Sequence, residues 1–196
     1  MKKLTCRRVV LSWIVVVLGC GVAAAADPDP ANYVGVKSCK MCHKSPEKGD
    51  QFGVWSQTAH ASAYTRLASP EAKAAGEKLG VADPQTSATC LKCHSTAYNF
   101  SEVPPAADAK ITVEEGVSCE SCHGPGKNYK PKEVMTDKAA AKAAGLMNPG
   151  DQNCVKCHNE ESPSWKADRY TTKDGKPVGF DLEQAFEKIK HPLPKK

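Results

Sequence analysis

Eight of the ten cysteines in the chain belong to four copies of one motif, Cys-x-x-Cys-His. Two thiols at this spacing can each form a thioether bond to a vinyl group of one haem, and the adjacent imidazole can then ligate the iron. The predicted attachment residues are Cys39 and Cys42, Cys90 and Cys93, Cys119 and Cys122, and Cys154 and Cys157. The predicted proximal ligands are His43, His94, His123 and His158. The motifs therefore predict four covalent c-type haems with their iron.

Zinc sites and dithiol redox sites also use pairs of cysteines at this spacing. Nothing in zinc coordination requires a histidine directly after every second cysteine, however. The chain contains only six histidines, and four of them occupy that position. The pattern therefore favours haem over zinc or dithiol chemistry.

The supply of distal ligands is limited, because only two histidines remain outside the motifs. These are His60 and His191. At most two of the four haems can therefore have two histidine ligands unless a partner protein contributes one. The other two haems need methionine, another group or water, or keep an open coordination position.

The segments that must position these residues are predicted to be short helices joined by long loops, with little sheet. Hydrophobic periodicity and capping residues predict helices at 52–67, 70–78 and 137–144, and a last helix that starts at Asp181 and ends near His191. In the first of these, His60 would share one helix face with Ala63, Tyr64 and Leu67. Segments 102–110 and 148–152 are rich in Pro, Gly and Asp and are predicted to be loops.

Residues 1–26 have the features of an export signal, with a basic start, an apolar stretch and three alanines before Asp27. We expect cleavage there and a periplasmic location. The alternative is a lipid anchor at Cys20, which would hold the protein on the outer face of a membrane. The rest of the chain, 27–196, is expected to form one compact domain with the porphyrins as its core, because only 6% of the residues are aromatic.

The basic formal charge does not indicate a nucleic-acid-binding protein. Four of the 27 basic residues lie in the export signal, which leaves 23 basic residues against 22 acidic ones. Each haem adds two propionates, so the loaded protein should be near neutral or acidic. The oligomeric state cannot be read from the chain.

Several stretches around the motifs resemble the tetrahaem cytochrome c554 family of ammonia-oxidising bacteria and its wider relatives. These stretches are 33–35, 55–61, 116–126 and 162–166. The resemblance implies that His60 pairs with His123 and His191 with His158. It also implies that the haem on His94 is five-coordinate.

The chain departs from that family shortly after the third motif, where the family has a histidine that ligates the first haem. Here the region contains Met135. We expect Met135 to replace that histidine, which would give the first haem a His43/Met135 pair and the highest potential of the four. Met147 is a competing candidate, whereas Met41 lies inside its own attachment loop.

These features predict one-electron transfer between haems, with redox proteins as donor and acceptor. The alternatives are an enzyme that binds or reduces a small nitrogen species at an open haem, a gas sensor, and a structural subunit of a haem wire. All six histidines are accounted for as iron ligands, so no acid–base cluster is left to deliver protons to a bound substrate. This favours electron transfer.

Overall fold

The computed structural model describes residues 29–99 and 101–193, which fold mainly into short α-helices joined by long loops. The predicted export signal and Cys20 lie outside these ranges. The helices are α1 (Val36–His43), α2 (Gln51–Ser56), α3 (Ala63–Arg66), α4 (Pro70–Lys78), α5 (Ala88–His94), α6 (Cys119–His123), α7 (Lys132–Met135), α8 (Lys138–Ala143), α9 (Asp151–Cys154) and α10 (Leu182–Glu187). Short 3-10 helices occupy Pro30–Asn32, Pro46–Lys48, Thr96–Tyr98 and Val113–Glu115.

In the described ranges, the sheet consists of two strands of two residues each, β1 (Tyr170–Thr171) and β2 (Pro177–Val178). They pair antiparallel, with Tyr170 opposite Val178. The prediction of a mainly α-helical fold with little sheet is therefore confirmed. None of the helices in the described part of the chain is long and apolar enough to cross a membrane.

Three predicted helix starts are confirmed by their capping hydrogen bonds. The side chain of Ser69 accepts from the N–H of Ala72 and opens α4. Asp137 opens α8, and Asp181 opens α10 by accepting from the N–H of Gln184 at 2.9 Å. Side-chain oxygens that satisfy free N–H groups at a helix start are a local property, so sequence spacing identifies them well.

The helix predicted at 52–67 is wrong, because the structure breaks it into α2 and α3. His60 lies in the turn between them and not on a helix face. The hydroxyl of Thr58 bonds back to the Trp55 carbonyl at 2.8 Å, which competes with helix continuation. The carbonyl of His60 also accepts from the N–H of Val117 at 3.0 Å, a tertiary bond that no helix pattern can show.

Two other boundaries differ from the prediction. Helix α10 ends at Glu187, and its last turn gives way to a non-helical segment before His191. Segment 102–110 contains no helix, as predicted, whereas α9 begins inside the predicted loop at 148–152.

Buried apolar side chains form two small clusters beside the second motif. One contains Leu67, Leu91 and Tyr98, and the other contains Tyr33, Ala97 and Ile111. Three buried residues in each cluster make little core for a chain of this length. These clusters position α3, α5 and the segments around them.

Candidate haem-binding site

The four motifs lie on or beside short helices, which explains how each copy can hold its two thiols together. Helices α1, α5 and α6 each end at the motif histidine, whereas the fourth motif begins at the last residue of α9. Residues three apart on a helix lie on the same face. In the first three motifs, both cysteines therefore face the same side and the histidine follows at the helix end.

Thiols from different motifs lie next to each other in two places. Cys39 of the first motif and Cys119 of the third share a hydrogen bond, which raises the pKa of Cys39 and lowers that of Cys119. Cys93 of the second motif and Cys157 of the fourth also share a hydrogen bond. This bond lowers the pKa of Cys93 to about 7 and raises that of Cys157. None of the eight motif cysteines forms a disulfide.

The third and fourth motifs are also neighbours. Burial raises the pKa of Cys122 to about 11, and the nearby thiol of Cys154 adds to this shift. The side-chain amide of Asn153 donates to the Cys122 carbonyl at 3.5 Å. The contacts between motifs therefore connect the attachment points in the order first, third, fourth, second.

Four of the histidines form two facing pairs. The ring centroids of His60 and His158 are 6.0 Å apart, and those of His123 and His191 are 5.8 Å apart. Two metal–nitrogen bonds of about 2 Å, with about 1 Å from each nitrogen to its ring centre, would put two axial imidazoles about 6 Å apart. Each pair is therefore spaced to hold one iron between its rings.

Burial lowers the pKa of three of these histidines, which are His60, His123 and His158. A lowered pKa favours the neutral imidazole, and only the neutral form can bind a metal. Phe180 stacks on the His158 ring with centroids 5.6 Å apart and planes 18° apart, which restricts the orientation of that ring.

The ring pairs in the structure differ from the ligand pairing that the resemblance implied. His60 faces His158 and not His123, and His191 faces His123 and not His158. The bond from Val117 holds the His60 backbone beside the third motif while the ring extends to the fourth. His191 is held by a bond from the Gln51 amide to the carbonyl of Pro192, at 2.9 Å.

The motif histidines differ in what holds their second ring nitrogen. Nδ1 of His94 lies 2.9 Å from the Ala63 carbonyl, and Nδ1 of His123 lies 3.1 Å from the Met147 carbonyl. An acceptor at Nδ1 keeps the proton there and leaves Nε2 free for iron. For His43 the acceptor is a side chain, the amide oxygen of Gln51, at 3.2 Å.

Gln51 is 8% exposed and connects two parts of the site. Its oxygen faces His43, and its nitrogen donates to the carbonyls of Lys48 and Pro192. Gly49 makes room for this arrangement, because a Cβ there would come within about 3 Å of the Gln51 amide and the Leu193 carbonyl. One side chain thus holds both the first motif histidine and the segment that carries His191.

Glu120 lies between the two cysteines of the third motif and is 2% exposed. Its carboxylate accepts from the N–H groups of Val34, Gly35 and Gly126 at 2.6–3.2 Å. Burial raises its pKa, although these N–H bonds act in the opposite direction. The third motif is therefore fastened to the segment that leads into α1.

The methionines have separate positions. Met135 is the last residue of α7 and is half-buried, and its ligation of the first haem stays a prediction. Met147 contacts the third motif, where its N–H donates to the His123 carbonyl at 3.0 Å. The side chain of Met41 points outward and is 72% exposed.

Comparison with known proteins relates this site to a family. Residues 38–124 match the family model described as cytochrome c554 and c-prime. The chain is also similar to cytochrome c-554 of Nitrosomonas europaea, with 31% identity over 162 residues. By both comparisons the chain is similar to the cytochrome c554 family. The match covers 74% of this chain and 65% of the length of the Nitrosomonas protein. No solved structure matches the chain.

Similarity to the cytochrome c554 family indicates c-type haem and iron, and two buried polar atoms fit such a group. Ser118 Oγ and Trp165 Nε1 have no hydrogen-bond partner among the described residues. Ser118 directly precedes Cys119, and Trp165 follows His158 by seven positions. Haem propionates are acceptors for donors of this kind. The donor set of neutral imidazoles and unbridged thiols also suits the cofactor.

The structure adds three residues to this candidate haem site that the motifs did not identify. Gln51 and Phe180 act through distant contacts with motif histidines, so their positions carry no local signal. Glu120 did carry a local signal in the sequence, because a carboxylate between two attachment cysteines needs either solvent or hydrogen-bond donors.

Proposed function

We propose that this protein is an extracytoplasmic electron-transfer cytochrome with four covalent c-type haems, one on each motif. The observation that carries the proposal is the connected set of attachment points, in which thiols of the first and third, third and fourth, and fourth and second motifs are neighbours. Each haem, when bound, supplies an iron that takes up and releases one electron. With one haem on each motif, four such irons would lie side by side.

The role of the protein residues is to hold the irons and set their redox properties. His60 and His191 supply the distal imidazoles of the fourth and third haems, judged by their ring pairs with His158 and His123. Imidazole on both sides favours low-spin iron. Burial and hydrogen bonds at the second ring nitrogen then adjust each potential.

The first and second haems differ from the third and fourth in their distal ligands. In the described part of the chain, no second histidine ring faces His43 or His94. We propose Met135 for the first haem and no protein ligand for the second, which leaves at least one five-coordinate iron. The extracytoplasmic location rests on the export signal at 1–26 in the sequence.

Intact mass and electron paramagnetic resonance of the purified protein test this proposal. The mass should include four haem increments, and the ferric spectrum should contain at least one high-spin signal beside low-spin ones. A mass with fewer than four haems would contradict the stoichiometry. Four low-spin centres would contradict the open position at His94.

A further inference from the structure

The helix that carries the first motif has a second face of different character. Three residues of α1, Lys37, Lys40 and Met41, and its C-cap Lys44 are spaced i, i+3, i+4 and i+7, so they form one stripe. All four are exposed. The attachment cysteines of the same helix lie at other positions of the turn. We call these four residues the α1 lysine face.

The lysines of this face form no ion pair among the described residues, although Lys37 lies near enough to the half-buried Glu115 to act on the pKa of its carboxylate. The four ion pairs found there involve Lys92, Lys173, Lys176 and Lys190, and none includes a lysine of α1. Lys40 lies over the Phe52 ring, with its nitrogen 4.7 Å from the ring centre, and this contact leaves its charge in place. The face is therefore a local positive patch on a protein that four haems would make neutral or acidic overall.

The attachment points are connected in the order first, third, fourth, second, and the α1 lysine face lies at the first of them. The first and second motifs stand at the two ends of that order. At the second motif, Leu91 is 2% exposed and Lys92 pairs with Glu102 at 3.1 Å. At the first motif, Met41 is 72% exposed and Cys42 is also exposed. The first motif is therefore the end of the haem array that a partner can approach.

We propose that the α1 lysine face is the docking surface for an acidic redox protein. This inference rests on the electron-transfer function proposed above. The expected partner has an exposed redox group surrounded by Asp and Glu, because opposite charges speed association and orient the two proteins. The lysines lie on the same helix as the first haem attachment, so docking there brings the partner close to that haem.

The test compares two triple variants of the full haem-loaded protein that change the net charge equally. One is Lys37→Glu, Lys40→Glu and Lys44→Glu, and the matched control is Lys73→Glu, Lys78→Glu and Lys166→Glu, three exposed lysines outside the α1 lysine face. The probe is a reduced plant-type ferredoxin, an acidic one-electron donor with a potential of about −400 mV. Stopped-flow absorbance at the haem bands gives the second-order rate constant at low and high salt.

The face variant should react about 10 to 100 times more slowly than the parent protein at low salt, and its rate should lose most of its salt dependence. The control should stay within about threefold, because its lysines lie on segments that carry neither the first motif nor a proposed ligand of the first haem. Replacing the same three lysines of α1 by glutamine should give a smaller loss of the same kind. Equal slowing in both glutamate variants, or none in either, would overturn the proposal.

An anionic membrane is the other acidic surface that such a stripe could meet. Vesicles with and without anionic lipid are therefore tested with the same variants. If the lysines control vesicle binding and leave the ferredoxin rate unchanged, the face is a membrane surface and the proposal is wrong.

Haem content and full reduction by dithionite are measured first. A protein that lacks haems would contradict the proposed function, whereas a fully loaded protein with an unchanged ferredoxin rate would contradict only the docking surface.

Discussion

The first and third motifs share one five-residue pattern but have opposite relations to the rest of the chain. In the third motif, the residue after the first cysteine is Glu120, which is buried and accepts bonds from three backbone N–H groups. In the first motif, Lys40 and Met41 between the cysteines are exposed. The cysteines and histidine define the attachment chemistry. The two residues between the cysteines decide whether the motif anchors the fold or forms a surface.

The two motifs also differ in how their histidines are held. His123 of the third motif is held by a backbone carbonyl and faces His191. His43 of the first motif is held by the side chain of Gln51, and no second histidine ring faces it among the described residues. The third motif is thus the more rigidly defined of the two, whereas a single substitution can alter the first.

The largest expected difference between the motifs is in stability. In Glu120→Gln, the side-chain amide nitrogen would face backbone N–H groups, which leaves buried donors without an acceptor. We expect the free energy of unfolding to fall by about 2–4 kcal/mol. Urea unfolding of the haem-loaded protein, followed by circular dichroism, measures this change.

The matched control is Lys40→Gln, at the same place in the first motif. Because Lys40 is exposed, its replacement should change the free energy of unfolding by less than about 0.5 kcal/mol. Equal effects of the two substitutions would show that the two motifs do not differ as anchors.

The next difference is in axial ligation. His191→Ala should remove the distal ligand of the third haem and convert one low-spin ferric centre to high spin, since alanine cannot bind iron. His60→Ala should do the same for the fourth haem, and the double variant should convert both. Electron paramagnetic resonance counts the centres.

The identity of the affected haem tests the pairing. A crystal structure of the loaded His60→Ala protein should show the open position on the iron bound to His158. An open position on the iron bound to His123 would restore the pairing that the family resemblance implied and contradict the one described above.

The smallest expected effect concerns Gln51. Gln51→Leu removes the acceptor at Nδ1 of His43, which makes the imidazole a weaker electron donor to the ferric iron. One hydrogen bond of about 0.5–1.5 kcal/mol corresponds to a rise of about 20–60 mV in the midpoint potential of the first haem. A spectroscopic redox titration measures the shift.

Gln184→Leu is the matched control for this substitution. Gln184 also donates its amide to a distant backbone carbonyl, that of Thr171 at 2.8 Å, but its side chain touches no axial histidine in the described structure. All four midpoints should stay unchanged in this variant. An unchanged titration in Gln51→Leu as well would show that the Gln51 contact does not influence the first haem.

Local features of the chain were predicted well because they depend on residues a few positions apart. The caps at Ser69, Asp137 and Asp181 are examples, as is the near absence of sheet. The helix predicted at 52–67 failed because a distant N–H, that of Val117, binds the His60 carbonyl inside it. Apolar periodicity describes one helix face and contains no information about such a bond.

The sequence by itself determined which residues can attach and ligate haem, since thiols three positions apart and the adjacent histidine lie within one helical turn. It also limited the number of histidine ligands, because composition is independent of folding. Only the tertiary structure decided which histidines face each other, which thiols of different motifs are neighbours, and how exposed each motif is. These properties depend on contacts between segments far apart in the chain, such as Gln51 with Pro192 and Glu120 with Val34, and no local spacing encodes them.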